Sequence, residues 1–481
     1  MIKKIIYSPT TKKIYDLIKD VPVIKQILTP LANRASLNYL ATTKSKLDEI
    51  SPSFCTAKWL QSTLHLEIGE THSCHHPKRH KLDIEEIKVD PKRLHNTKIK
   101  EENRRLMIKG EKPSECEYCW LAERNNEFSD RIYKSASDWA QVNLKKLLSD
   151  EAIKNINPTY LEVSFSSDCN LRCAYCYPEV SSAIRAENTK FGAYPTSDKF
   201  GNLDEYEKFG EDLSEHFWRW WDNGLRDDLK VLRVTGGEPL LSKDLFKLVE
   251  LLRENPRKYD FDFSINSNFM VANDRVKKLF IDVEEIVSSK KIKSFHFYTS
   301  IDTWGTHAEF LRFGLKIEKF VENIETALNI KPDLDLTFMI TYQALSPFQF
   351  NQLLEFILDL RKRYPQSKIK AGITGLLNPR FLSIFMLDES FLEDIESNLE
   401  FMRKNRLSAH FPHGFSNFEI QHLERIHAAF VNQMRSGQKD LTDTKKFFAE
   451  YEKRKNINFN KIFSPFPKLT NYLMINSSPA E

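Results

Sequence analysis

From residue 160 onward the chain alternates between two hydrophobic periods. Leu161, Val163 and Phe165 alternate with Tyr160, Glu162 and Ser164, the two-residue period of a half-buried strand. A helical period follows over 202–224, with Phe209, Leu213, Phe217, Trp220 and Trp221 on one side and Asn202 and Glu205 spaced as a capping box. The apolar run 231–235 predicts a second strand, and Leu245, Leu248, Val249 and Leu252 predict the helix behind it. Further strands are predicted near 260–265, 293–300, 334–341 and 368–373, with helices near 273–288, 308–328 and 348–363 between them. Six strand-helix units predict an α/β fold, an open partial (β/α)6 barrel of parallel strands. Such barrels carry their chemistry at the C-terminal edge of the strands.

The flanks read differently. Residues 1–50 are Lys-rich with short apolar patches and predict a helical segment without evident chemistry. Residues 51–125 hold a Cys-rich domain, in which 97–109 reads as a helix stopped by Gly110 with its Lys and Arg residues on a solvated face. A helical connector is predicted over 126–156, with Trp139, Val142, Leu144, Leu147 and Leu148 as its apolar face. The barrel occupies 157–376, and 377–481 is a helical extension whose last part, with Phe447, Phe448, Tyr451 and Pro465-Phe466-Pro467, predicts a C-terminal cap.

Composition narrows the partners. Hydrophobic residues make up 41% and charged residues 29% of the 481, as in a folded chain of more than one domain. The 71 basic and 67 acidic residues nearly cancel, which indicates no nucleic-acid partner. No apolar run reaches the roughly eighteen residues that cross a bilayer, and Met1-Ile2-Lys3-Lys4-Ile5-Ile6 is not a signal peptide. A cytoplasmic chain without a membrane partner is expected, which disfavours a disulfide framework for its seven cysteines.

Those cysteines fall into two groups. Cys169, Cys173 and Cys176 stand at i, i+4 and i+7 in one loop directly after the first barrel strand. Their thiolates can converge on three irons of a cubane cluster, leaving the fourth iron open to an exogenous chelating group. Cys55, Cys74, Cys116 and Cys119 all precede that loop, and four thiolates are what a closed centre requires. Structural zinc meets the same count, so an iron-sulfur cluster and zinc both stand for this second site.

The loop Cys169-Asn-Leu-Arg-Cys173-Ala-Tyr175-Cys176, followed by Gly236-Gly237-Glu238-Pro239 after the second strand, resembles the radical S-adenosylmethionine (SAM) family. The resemblance implies a catalytic 4Fe-4S cluster on the three cysteines. It also implies SAM contacts from Tyr175, Gly236, Gly237 and Glu238, from Asn268 in Asn266-Ser267-Asn268, from Ser300 in Ser300-Ile301-Asp302, and from Arg312. Cys74-His75-His76-Pro77, Leu94-His95-Asn96-Thr97, Arg104-Arg105-Leu106-Met107 and Cys116-Glu117-Tyr118-Cys119-Trp120 resemble the twitch domain, a half-sized relative of the auxiliary-cluster module of such enzymes, here preceding the barrel. Reductive cleavage of SAM to a 5′-deoxyadenosyl radical and hydrogen abstraction from a substrate are the implied chemistry, with a low-potential flavodoxin or ferredoxin as electron donor. A peptide or protein substrate is the first expectation; a small sugar or nucleotide is the second. A zinc-stabilised binding protein on a degenerate barrel is the non-enzymatic alternative.

Overall fold

The computed structural model describes residues 36–203, 213–434 and 439–474, so most of the expected N-terminal helical segment, and Glu205 and Phe209 of the expected capping box and helix, lie outside the described residues. The described residues separate into two units: one of 36–163, 213–232 and 408–412, the other of 164–203, 233–407, 413–434 and 439–474.

In the first unit, β1 (Gln61–His65), β2 (Glu70–His72) and β3 (His80–Lys81) form an antiparallel meander. Its β1 edge is hydrogen-bonded to β4 (Tyr160–Ser164), the expected first barrel strand. The Cys-rich region therefore supplies strands, which its irregular hydrophobic pattern did not predict. Leu47, Phe54, Trp59, Leu60, Met107, Trp120 and Leu147 pack one core around Cys116 and Cys119.

The expected helix before Gly110 is present as Lys98–Ile108, capped by the Thr97 hydroxyl and ended where Gly110 takes a φ of 86°. Its basic face is not solvated throughout. Lys100 and Arg104, one turn apart, are fully buried. Lys100 donates to the Ser62 and Thr71 hydroxyls at 3.0 and 2.9 Å, and Arg104 donates to the Lys58 and Ile153 carbonyls at 3.1 and 2.7 Å. These acceptors come from distant segments, so composition alone could not separate the two from their solvated neighbours. The expected connector is likewise broken into short helices, Asp130–Ser135, Leu144–Leu148 and Asp150–Lys154, because Asn143 and Ser149 cap new starts. Val142 and Leu148 are exposed. Helix Leu213–Trp220 clusters with this unit, where Trp220 Nε1 donates to Asn157 Oδ1 at 2.9 Å.

In the second unit, β5 (Arg172–Cys173) lies in the cysteine loop, and the remaining barrel strands are β6 (Val231–Thr235), β7 (Asp262–Ser267) and β8 (Ser294–Ser300). A two-residue strand β9 (Arg312–Phe313) precedes β10 (Asp335–Tyr342) and β11 (Lys368–Gly375). Sheet order β6-β7-β8-β10-β11 follows the sequence, with β7, β8, β10 and β11 paired in parallel. This is a mixed α/β arrangement compatible with a partial barrel. The single helix expected over 308–328 is two, Gly305–Leu311 and Ile317–Ile330, with β9 between them. That interruption pairs Cys173 with Arg312, antiparallel, and ties the cysteine loop to the chain beyond β8.

C-terminal helices Leu392–Lys404, Asn417–Met434 and Thr442–Lys455 follow. The last of these braces the cysteine loop. Tyr451 Oη donates to the Phe310 carbonyl at 2.7 Å and to the Arg172 carbonyl at 3.5 Å. The fully buried Lys455 pairs with Glu187 of helix Ser182–Phe191, which also accepts from Tyr194 Oη at 2.9 Å. Burial pulls the Lys455 ammonium down to about 8 against the support of Glu187. Glu187→Gln should therefore cost up to about 3–5 kcal/mol in urea unfolding near neutral pH, the scale for stranding one partner of a buried pair. The loss should shrink as pH rises towards 10, because the stranded lysine then sheds its proton at less cost.

Candidate active site and metal centre

The cysteine loop leaves β4 and turns back against the end of β6. Gly237 N donates to the Ser166 carbonyl at 3.2 Å and Glu238 N to the Asp168 carbonyl at 2.6 Å. A Cβ on Gly237 would stand 2.3 Å from the Ser167 and Asp168 carbonyl oxygens, and one on Gly236, whose φ is 130°, 2.5 Å from that of Ser166. Sequence reasoning assigned this glycine pair to close approach by a ligand. What approaches in the structure is the backbone of the cysteine loop itself, so both positions need glycine whatever else binds there.

Glu238 caps the short helix Pro239–Leu241, and its carboxylate accepts from Leu240 N at 2.9 Å, Ser267 Oγ at 2.8 Å and Asn268 N at 2.6 Å. It is 2% exposed, and among the described residues no cationic side chain pairs with it. Burial pushes its carboxyl up to about 7, although those three hydrogen bonds pull the other way. A buried carboxylate of this kind gains most from a ligand ammonium.

Asn268 links this carboxylate to the cysteines. Its side chain donates to Asn170 Oδ1 at 3.0 Å and reaches Cys169 Sγ at 4.0 Å. The next residue, Phe269, has a φ of 58°, a conformation that favours glycine. Its ring is fully buried against Phe280, Phe297 and Phe320, and its carbonyl accepts from Asn323 Nδ2 at 2.6 Å. Packing thus holds the turn that glycine would otherwise permit.

Around Cys173 the partners differ from expectation. Asp302, fully buried, accepts from Arg312 Nε and Nη2 at 2.9 and 3.0 Å, from Tyr175 Oη at 2.8 Å and from Thr341 N at 3.1 Å. Arg312 Nη2 also lies 2.5 Å from Tyr175 Oη, which leaves Nη1 aimed at Cys173 Sγ, 3.9 Å away. Tyr175 and Arg312 therefore order each other beside the cysteines. Ser300 ends β8 half-buried on the same strand edge. Asp302 and Ser267 were not among the expected site residues; the Ser-x-Asp pattern pointed to Asp302, and nothing in the sequence pointed to Ser267. Burial raises all three thiols, Cys173 to about 12 despite the neighbouring Arg312.

In the first unit the other four cysteines, more than sixty residues apart at the extremes, line one small cavity of about 20 Å³. Ala57, Met107 and Trp120 form its apolar wall, and Lys58, Arg131 and Lys134 bring cations. Arg131 Nη1 donates to the Phe54 carbonyl at 2.9 Å, fixing the segment before Cys55. His76 Nε2 donates to Asp130 Oδ2 at 2.8 Å and its ring stacks on Tyr118 at 3.7 Å, holding the Cys74 turn against the CxxC helix. Burial pushes the Cys116 and Cys119 thiols up to about 12. Among the described residues no three His, Cys, Asp or Glu side chains are arranged to hold a metal ion; the four thiols surround a space instead of meeting at a point.

Residues 163–357 match the family described as the radical SAM superfamily. This stretch is a radical SAM catalytic domain. Curated relatives include GTP 3′,8-cyclases of Campylobacter lari, 27% identical over 41% of this chain and 51% of that protein, and of Campylobacter fetus, 28% identical over 42% and 52%. A third, from Aliarcobacter butzleri, is 33% identical over 25% of this chain and 30% of its own. The chain spans about half or less of the length of these relatives. Solved structures with some likeness include Streptococcus suis SuiB bound to S-adenosylmethionine, 15% identical over 72% of this chain and 68% of that one at a TM-score of 0.35. Another is anSMEcpe with bound AdoMet, 16% identical over 51% and 60% at 0.33. Likeness at that level bears on neither substrate nor activity. No helix among the described residues is long and apolar enough to cross a membrane.

The three-thiol loop and the buried Glu238 fit the cluster and cofactor of a radical SAM domain. Because the Glu238 carboxyl must ionise to meet an ammonium, SAM affinity should fall about tenfold per pH unit below about 7. Anaerobic calorimetry across about pH 5–8, where folded proteins are commonly most stable, checks this; Glu238→Gln should bind weakly with no such slope.

Proposed function

We propose that this chain is a radical SAM enzyme whose cluster is held by Cys169, Cys173 and Cys176 and whose SAM ammonium is received by Glu238. The observation that carries this reading is the buried Glu238 carboxylate, without a cation, on a residue whose backbone N–H donates to the Asp168 carbonyl of the loop that bears the three cysteines. A 4Fe-4S cluster and SAM held there, given one electron from a low-potential donor, would supply radical chemistry for hydrogen abstraction. The protein's part is to orient and enclose. Asn268 and Arg312 direct N–H groups at Cys169 and Cys173 and favour their thiolates, Asp302 fixes Arg312 and Tyr175, and Gly236 and Gly237 let the loop close on β6. Ser300 and Arg312 stand on the edge where the SAM carboxylate would lie.

For the substrate, a small nucleotide now takes precedence over a peptide, since the curated relatives are GTP 3′,8-cyclases. A polar side chain on the second unit's strands supports an anionic molecule. Arg233 of β6 lies over the Tyr298 ring at 4.7 Å and donates to Asn266 Oδ1 at 3.0 Å. A guanidinium suits phosphate. The four N-terminal cysteines are proposed to hold an auxiliary iron-sulfur cluster, because their cavity encloses a space and is bordered by cations.

Two measurements test this. Changing Cys169, Cys173 and Cys176 together to Ala should abolish 5′-deoxyadenosine formation while iron and sulfide remain at one cluster per chain; unchanged formation refutes the catalytic assignment, and zinc alone refutes the auxiliary cluster. Incubation of the reconstituted protein with nucleoside triphosphates should raise 5′-deoxyadenosine release above the substrate-free rate. No rise with nucleotides, together with a rise on a peptide, reverses the substrate order.

A further inference from the structure

The cavity of the first unit holds a cation that no motif pointed to. Lys58 follows Cys55 by three residues, its side chain is 3% exposed, and it lines the cavity beside all four cysteines. Its ammonium pairs with Glu115, the residue before Cys116, and Asn103 Nδ2 donates to the same Glu115 oxygen at 2.9 Å. The pair therefore ties the segment carrying Cys55 to the segment carrying Cys116.

Of the cations bordering the cavity, Lys58 is the one that burial and partners leave acting on the thiols. Arg131 is met by two carboxylates, Glu123 at 2.8 and 2.9 Å and Asp48 at 3.0 Å. Lys134 is more exposed and stands 3.9 Å from Asp130. Lys58 has one carboxylate, and that one is shared with Asn103. Lys100, nearby in the same unit, is held well below its usual range by burial, so it is not a dependable charge.

We propose that Lys58 is the charge anchor of the four-cysteine centre and raises its reduction potential, a role that rests on the auxiliary-cluster reading above. The physical reason is electrostatic. An iron-sulfur centre on four thiolates is anionic in either oxidation state and gains one further negative charge on reduction. A fixed ammonium in an apolar wall favours the more negative form, and the burial of the Lys58 side chain limits its screening by solvent. Glu115 opposes that effect, because its carboxylate offsets part of the Lys58 charge.

The test uses the full-length chain with Cys169, Cys173 and Cys176 changed to Ala, reconstituted anaerobically and titrated with dithionite under EPR. Lys58→Met should shift the one-electron equilibrium about tenfold towards the oxidised form, about 59 mV to lower potential. Lys58→Arg, which keeps the charge, should stay close to the parent. Glu115→Gln should move the potential the opposite way, upward. A brace that acted only through packing would send Lys58→Met and Glu115→Gln in the same direction, or leave the potential alone, and either result overturns the proposal. If Lys58→Met retains no cluster, the sign for Glu115→Gln decides: a rise supports the proposal and any other result overturns it. A parent that holds zinc and no iron is a distinct outcome, which removes the auxiliary cluster and this role together.

Discussion

The second unit is organised by the contact between backbone 166–168 and the glycine pair at the end of β6. With Cβ positions 2.3–2.5 Å from carbonyl oxygens, no larger residue fits without moving one strand end away from the other. That single approach aligns two things that lie about seventy residues apart, the three thiols and the Glu238 carboxylate. Asn268 then closes the set from β7, since its N–H meets Glu238 and its amide meets Asn170 and Cys169. A cofactor that must touch an iron and an ammonium acceptor at once requires this spacing to be fixed before it arrives, which is the sense in which the site is preorganised.

Both units bury charge, and in each the buried groups border a cysteine site. Asp302 satisfies Arg312 and Tyr175 beside Cys173, and Lys455 satisfies Glu187 on the helix that follows the loop. In the first unit Lys58, Lys100, Arg104 and Arg131 are all buried. Burial of charge costs stability unless geometry is good, so such groups are retained where they fix something. Here they fix the segments that carry cysteines: Arg131 holds the Phe54 carbonyl, Glu115 and Lys58 join the Cys55 and Cys116 segments, and Arg312 points at Cys173.

The barrel strands and the spacing of the loop cysteines were legible from sequence because both are local. Period-two runs at 160–165 and 231–235, and cysteines three and four residues apart, carry their meaning within a few residues. Helix 273–288 agrees with the structure for the same reason, an apolar stripe sustained over several turns. The expected helix over 308–328 did not, because Gly314 takes a φ of 104° and the two residues of β9 pair with Arg172 and Cys173, in a loop 139 residues earlier. The connector over 126–156 failed as one helix because local caps at Asn143 and Ser149 outcompete a weak apolar face.

The sequence by itself determined which side chains bring the chemistry: two sets of thiols, a glycine pair followed by a carboxylate, and a train of strands to present them. Only the tertiary structure decided what surrounds them. Lys100 and Arg104 have the same local pattern as any solvated basic residues and are buried because acceptors from β1, β2 and helix Asp150–Lys154 arrive from elsewhere. Cys55 and Cys119 share a cavity because a core of Phe54, Trp59, Met107 and Trp120 draws their segments together. Local pattern sets propensity, but the free energy of a buried charge or thiol depends on the dielectric and partners around it, and those come from residues remote in the chain.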